Sequence, residues 1–326
     1  MKILSKTILL ASMTLAVAPA AVAQVKKGPT EAKTKVTFPS GRAALRIPIE
    51  VDNNIIILSA SVNGKPPIRL IFDTGASHTV INADRADQLG IKGSERVSGT
   101  ATGGAIEGTM ATGVKIAIAG VEVSNQPVGL ISMPRVPGFD FDGVIGFDFI
   151  RAFVVQIDYV NKVMDLYDAR SYRYRGKGIL IPLSLKGRRT PLMSASFIFG
   201  NGPSSRAKLE LDTGADNAFL LYYPFVEKHS LLKTSKDLAA NAGRGAGGET
   251  ERLIGQAKQV TFGPLAFNNV PVLFSLQKEG LEEGGSVDGI IGGEVLRRFK
   301  VIIDYSRSRM ILEANKDIND PFDIEG

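Results

Sequence analysis

Two aspartates in this chain could share one chemical task. Each opens an Asp-Thr-Gly triplet, first as Asp73-Thr74-Gly75 and again, 139 positions later, as Asp212-Thr213-Gly214. An apolar run leads into each, in Leu70-Ile71-Phe72-Asp73-Thr74-Gly75-Ala76-Ser77 and in Leu209-Glu210-Leu211-Asp212-Thr213-Gly214-Ala215-Asp216. One carboxylate at the end of a strand is ordinary. Two carboxylates delivered by matching strands imply one site assembled from two half-sites. Paired carboxyls can hold a proton between them and work as acid and base together.

Other chemistries have little to work with. Cysteine and tryptophan are absent, which rules out a disulfide framework and a cysteine-ligated metal. The two histidines, His78 and His229, stand in neither a metal-binding nor a triad spacing. The glycine-rich stretches 99–108 and 241–249 lack the Gly-Lys-Ser/Thr ending of a phosphate-binding loop. An aspartyl-phosphate enzyme would need transmembrane segments, nucleotide motifs and metal-binding partners that are missing here. No metal and no cofactor are therefore expected.

The elements that must position the two aspartates come from a duplication, the kind of internal repeat that has to be sought before any fold is assigned. Ile47-Pro48-Ile49 is answered by Ile181-Pro182-Leu183, and Leu58-Ser59-Ala60-Ser61-Val62 by Met193-Ser194-Ala195-Ser196-Phe197. Downstream of the triplets, Asp142-Gly143-Val144-Ile145-Gly146 matches Asp288-Gly289-Ile290-Ile291-Gly292, and 151–159 matches 297–305. The offset grows from 135 through 139 to 146, as expected of a duplication with loop insertions. Local patterns are β: residues 55–71 read as two β-branched runs broken by Asn63-Gly64, a hairpin signal, and Val114–Ile118 alternates like a half-buried strand. Short helices are predicted over 82–90, capped by Asn82 and stopped by Gly90, and after each Asp-Gly segment over 147–153 and 293–299. The two glycine-rich stretches occupy matching places and read as mobile hairpin tips or lids.

Residues 1–23 read as a signal peptide, with Lys2 and Lys6, an apolar middle and a small-x-small end at Ala21-Val22-Ala23. Cleavage would place the mature start at Gln24 and lower the formal charge from +6 to +4, since the segment holds two lysines and no acids. The basic cluster Arg170, Arg173, Arg175, Lys177, Arg188 and Arg189 reads as a solvated linker face, and no nucleic-acid motif accompanies it. No later stretch is long and apolar enough to span a membrane. The expected organisation is signal 1–23, flexible lead-in 24–40, first lobe 41–170, linker 171–178, second lobe 179–316 and tail 317–326.

Together the landmarks resemble the aspartic peptidases over about residues 45–315. The Asp-Thr-Gly-Ala form looks more like the retropepsin branch than the pepsin branch, and the tail after each Asp-Gly segment is similar to bacterial retropepsin-like proteins. The resemblance implies an all-β acid-protease fold: two pseudo-twofold-related retropepsin-like β-barrel lobes with few short helices. It implies Asp73 and Asp212 as a catalytic dyad, with Thr74 and Thr213 interlocked across the axis and Gly75 and Gly214 giving backbone N–H groups access to the carboxyls. It places Ser77 and Asp216 beside the substrate, and Thr100 and Ile106 on a flap. The pepsin-type flap tyrosine is missing, for no tyrosine lies between Asp73 and Asp142. Because one chain carries both halves, a monomer with its cleft between the lobes is expected. The implied substrate is a peptide or protein, with no nucleic acid partner and no stable membrane insertion after signal cleavage. The location implied is the bacterial periplasm or the outside of the cell. Ala76 and Ala215 offer no hydroxyl to favour the charged form of the dyad, so a mildly acidic to near-neutral optimum is expected. A peptide-binding module on the same fold without cleavage remains the alternative reading.

Overall fold

The computed structural model describes residues 34–322, except 137, 236, 279–281 and 283–284, together with two short strands at Thr7–Ile8 and Met13–Ala16. The rest of the expected signal peptide, residues 24–33 of the expected lead-in and residues 323–326 of the tail lie outside the described residues.

Each half of the duplication closes a small barrel. In the first lobe the ring runs through Ile55–Val62, Ile68–Phe72, Gly143–Ile145, Val80–Asn82, Val121–Ile131 and Gly104–Ile118, and Ile116 pairs back onto Val62. The second lobe repeats it through Leu192–Ile198, Ser205–Leu211, Gly289–Ile291, Phe219–Leu221, Leu265–Ser275 and Gly248–Phe262, with Val260 opposite Phe197. The strands are rich in Ile, Val, Leu and Phe, whose branched or aromatic side chains suit the pleated surface. Closure removes the sheet edges that would otherwise remain unpaired. The Asp-Gly segments run parallel to the strands that deliver the aspartates, with Val144 opposite Ile71 and Ile290 opposite Glu210. They therefore lie directly beneath the triplets.

A long hairpin extends from each barrel. Glu95–Ala101 with Gly104–Ile118 forms the first flap, and Ala239–Gly245 with Gly248–Phe262 the second. The glycine-rich stretches supply their tips.

The repeated tails build a shared sheet of six strands, ordered Ile179–Pro182, Arg309–Ala314, Phe299–Asp304, Phe153–Asp158, Val163–Asp168 and Ala43–Pro48. At its centre Val154–Asp158 runs antiparallel to Lys300–Asp304, with Gln156 opposite Ile302. Those two residues are related by the same offset of 146 as the Asp-Gly segments, so the pseudo-twofold axis passes between them. One continuous apolar core runs through both lobes and this sheet, and includes Phe72, Phe149, Phe153, Phe197, Phe219 and Phe299.

The expected helices are shorter than their patterns suggested, and two more, Tyr223–Lys228 and Leu231–Thr234, follow the second triplet. The segment expected to be helical over 82–90 holds only a 3-10 turn, Ala83–Arg85. The Asn82 side chain makes no cap bond and instead accepts a hydrogen bond from the Met133 N–H (3.3 Å). The helices after the Asp-Gly segments are single turns, Phe147–Ile150 and Gly293–Leu296. Within the stretch expected as a flexible lead-in, Lys35–Thr37 is a short strand paired with Glu122–Ser124.

Candidate active site

The two triplets meet where the lobes adjoin. Each aspartate leaves its strand at the same point, where the Asp73 N–H donates to the Ile145 carbonyl (3.0 Å) and the Asp212 N–H to the Ile291 carbonyl (3.0 Å). The chain then turns tightly so that following N–H groups face back onto the carboxyl. Gly75 and Ala76 donate to Asp73 Oδ1 at 2.7 and 3.1 Å, and Gly214 donates to Asp212 Oδ1 at 2.9 Å.

Four hydrogen bonds lock one loop to the other. The N–H of Thr74 donates to the Thr213 hydroxyl and the N–H of Thr213 to the Thr74 hydroxyl, both at 3.1 Å. Each hydroxyl then donates across the axis to the strand beneath its partner: Thr74 to the Leu211 carbonyl (2.6 Å), Thr213 to the Phe72 carbonyl (2.7 Å). A hydroxyl can donate and accept at once, which is why threonine serves here and valine, of similar shape, would not.

The carboxyls face each other through the glycines. A Cβ on Gly75 would stand 2.8 Å from Cγ of Asp212, and one on Gly214 would stand 2.5 Å from Cγ of Asp73. Both aspartates are fully buried. Burial, which disfavours a charged carboxylate, is the main cause raising both pKa values. Asp73 is pushed up to about 7, and Asp212 is held well above the usual carboxylate range, with the negative charge of Asp73 adding to the effect. Two buried carboxyls placed this close to one another disfavour a second negative charge.

A sequence model of the aspartyl protease family matches residues 58–149 and 198–295, the two repeats and nothing between them. The chain belongs to the aspartyl protease family. Among solved structures, this protease is similar to the aspartic proteinase of Irpex lacteus, with a TM-score of 0.55 and 17% identity, covering 86% of this chain and 100% of that one. At that identity the likeness is one of fold. No curated protein matches the chain.

The remaining expected site residues fall in different places. Ser77 and Asp216 are buried directly after the triplets, and the Asp216 carbonyl accepts from the Asn54 side chain of the other lobe (3.0 Å). Ile106 is buried on the inner face of the first flap, while Thr100 is exposed on its outer face. Successive strand residues point to opposite faces, so in this strand Val97 and Ala101 face inward. The flap tips touch: the Gly247 N–H donates to the Thr102 carbonyl (2.9 Å). At Gly103, φ is +92° and a Cβ would stand 2.4 Å from the Gly248 carbonyl oxygen. That crossing requires glycine on both conformational and steric grounds.

Glu210 and Asn54 were not singled out in the sequence, and Arg189, expected on a solvated linker face, instead bridges the lobes. Glu210, two residues before Asp212, is buried and accepts a hydrogen bond from the Thr190 hydroxyl. Its charge helps to raise both aspartate pKa values. Its counterpart in the first lobe is Ile71, so the duplication gave no hint of it. Arg189 reaches from the second lobe to Asp148 in the first (2.7 Å), and Asp148 also holds His78 (2.7 Å). In the matching place, Asn54 of the first lobe donates to Glu294 of the second (3.2 Å). The two motif loops are thus each braced by a side chain from the opposite half.

Proposed function

We propose that this aspartyl protease is an exported endopeptidase in which Asp73 and Asp212 form the catalytic dyad. The observation that carries the reading is the packing of each carboxyl against the other half's motif glycine. One ionised aspartate removes a proton from a water molecule, whose oxygen attacks the scissile carbonyl carbon. The other aspartate delivers its proton to the carbonyl oxygen, giving a tetrahedral diol. Collapse of the diol, with proton transfer to the amide nitrogen, breaks the C–N bond and returns the dyad to its single-proton state. General acid and base are then the same pair of groups in alternating roles.

Thr74, Thr213, Gly75 and Gly214 support this chemistry by holding the carboxyls in place. The flaps, with Ile106 on the inner face of one of them, exclude water from the bound peptide. Ser77 and Asp216 are the nearest motif residues for contacts to substrate backbone. Export rests on the signal-like composition of residues 1–23 and places the enzyme in the periplasm or outside the cell. Among the described residues no helix is long and apolar enough to cross a membrane.

The test is peptide-library cleavage with the intact protein beside Asp73→Asn and Asp212→Asn. Cleavage by the intact protein alone supports the dyad. Peptide binding without cleavage by any of the three supports the binding-module reading instead.

A further inference from the structure

The two flaps are equivalent in backbone and unlike in chemistry. Their registers align the pair Ile106–Gly99 with Thr250–Gly243, and the pair Gly108–Val97 with Arg252–Asn241. Under the first flap the inner face is wholly apolar: Val97, Ala101, Ile106 and Met110 cluster with Phe139 and Phe141. Under the second flap the place of Ile106 carries the Thr250 hydroxyl, and that of Gly108 the Arg252 guanidinium.

Arg252 is fully buried, and its Nη2 donates to Oε1 of the equally buried Glu282 (3.1 Å). Its Nη1 stands 2.4 Å from where a Cβ on Gly243 would be. The guanidinium therefore lies across the inner face of the hairpin, over a position that only glycine leaves open. On that face, a Cβ on the next inward residue, Gly245, would meet Thr102 of the opposite flap tip. The group is thus beside the junction of the two flaps. Among the described residues Nε and Nη1 of Arg252, Oε2 of Glu282 and Oγ1 of Thr250 have no hydrogen-bond partner. Buried polar atoms are costly to leave unmet, and proteins satisfy nearly all of them. Four such atoms lie in the second flap and the loop segment that holds Glu282.

We propose that the second-lobe half of the cleft is a subsite for a carboxamide side chain, asparagine or glutamine, read by Arg252 and Glu282. The proposal rests on the endopeptidase reading above. The ion pair is neutral overall, so it gains nothing from a charged ligand. A carboxylate would satisfy Arg252 and leave Oε2 of Glu282 facing a like charge. An ammonium group would do the reverse. A primary amide presents one acceptor for the guanidinium and two donors for the carboxylate on the same planar group. A site built of buried hydrogen-bonding groups rejects an apolar side chain strongly, since their bonds would go unmade. Preferred substrates therefore place an apolar side chain on one side of the scissile bond, under the first flap, and Asn or Gln on the other.

The experiment uses a peptide library with Phe or Leu fixed on one side of the scissile bond and every residue type on the other, in both orders. Gln or Asn should exceed Leu, Glu and Lys by at least ~10-fold in kcat/KM, since a site built to hydrogen-bond a substrate group rejects side chains that lack it. Arg252→Leu should remove that preference while keeping the apolar preference on the opposite side, which also shows that the variant is folded. Glu282→Gln leaves the arginine uncompensated and should move the preference from Gln toward Glu. A purely structural ion pair would produce no such exchange. Cleavage with an apolar preference on both sides, or an unchanged profile in both variants, overturns the subsite and leaves the endopeptidase reading intact. If no peptide is cleaved, the endopeptidase reading fails separately. The subsite is then judged by binding of the same peptides with a reduced scissile amide. Tighter binding of the Gln and Asn members supports it, and equal or weaker binding overturns it.

Discussion

Gly214 stands against Asp73 so closely that a Cβ on the glycine would lie 2.5 Å from the carboxyl carbon. No real side chain tolerates that distance, so the aspartate of one lobe occupies space that only the glycine of the other lobe leaves free. Gly214→Ala should push Asp73 out of line with Asp212 while the barrel closes normally. A displacement of this size costs on the order of 100-fold in kcat. Steady-state kinetics on a fluorogenic peptide, with circular dichroism as the folding check, would measure it. A folded variant with wild-type kcat would rule out the paired geometry as the source of activity.

Thr74 and Thr213 carry a stability prediction. Thr74→Val removes a hydroxyl that accepts from the Thr213 N–H and donates to the Leu211 carbonyl. Two buried backbone groups lose their partner, at about 1–3 kcal/mol each. Urea unfolding should show a loss of roughly 2–6 kcal/mol, whereas Thr74→Ser, which keeps the hydroxyl, should lose far less. Equal losses in the two variants would mean that packing of the methyl group, not the hydrogen-bond exchange, joins the loops.

The dyad makes stability depend on pH with a definite sign. Both carboxyls have folded pKa values above the unfolded value, Asp73 reaching about 7. The folded state therefore holds its proton more tightly than the unfolded chain. That contribution is complete below about pH 4 and is lost as pH rises toward 7 and beyond. At about 1.4 kcal/mol per pKa unit, the wild type should lose a few kcal/mol across this window. Asp73→Asn removes one titrating group and should be the more stable protein at pH 8, with a flatter profile. Denaturant unfolding from pH 4 to pH 8 decides it, and parallel curves for the two proteins would contradict the linkage.

Glu210 bears on the pH-rate profile. Its buried charge raises both aspartate pKa values, so Glu210→Gln should lower them and move the acidic limb of kcat/KM to lower pH. The wild-type optimum should itself be mildly acidic to near neutral. A wild-type maximum below about pH 3.5, near the free aspartate value, would contradict the burial of the pair, and an unmoved limb in Glu210→Gln would remove Glu210 from the electrostatics.

Some of this protein was readable from residue order because the requirements are local. The turn after each aspartate needs glycine, the strand before it needs apolar residues, and both occur twice in one order. Duplication turned those local signals into a fold class. Facing was less legible. Thr100 and Ala101 are neighbours in one flap strand, and only the register decides which of them points inward. Glu210 alternates with Leu209 and Leu211 in a pattern that reads as half-buried, yet Thr190 and Arg188 from another segment cover it. The helix expected from Asn82 gave way because a distant backbone N–H, that of Met133, took the side chain that would have capped it.

The amino-acid sequence by itself determined that two equivalent half-sites exist, since strand, triplet and supporting Gly segment are each written twice within a few residues. That the halves share one site was an expectation drawn from the repeat and its resemblance, because no local preference spans the 139 positions between them. The tertiary structure decided it through the central sheet, where Gln156 lies opposite Ile302. That pairing sets the axis, and the axis brings Asp73 onto Gly214 and Asp212 onto Gly75. It also set Arg252 and Glu282 together under one flap. They come from a strand and a loop 30 residues apart, and only burial against the opposite flap gives their chemistry a direction.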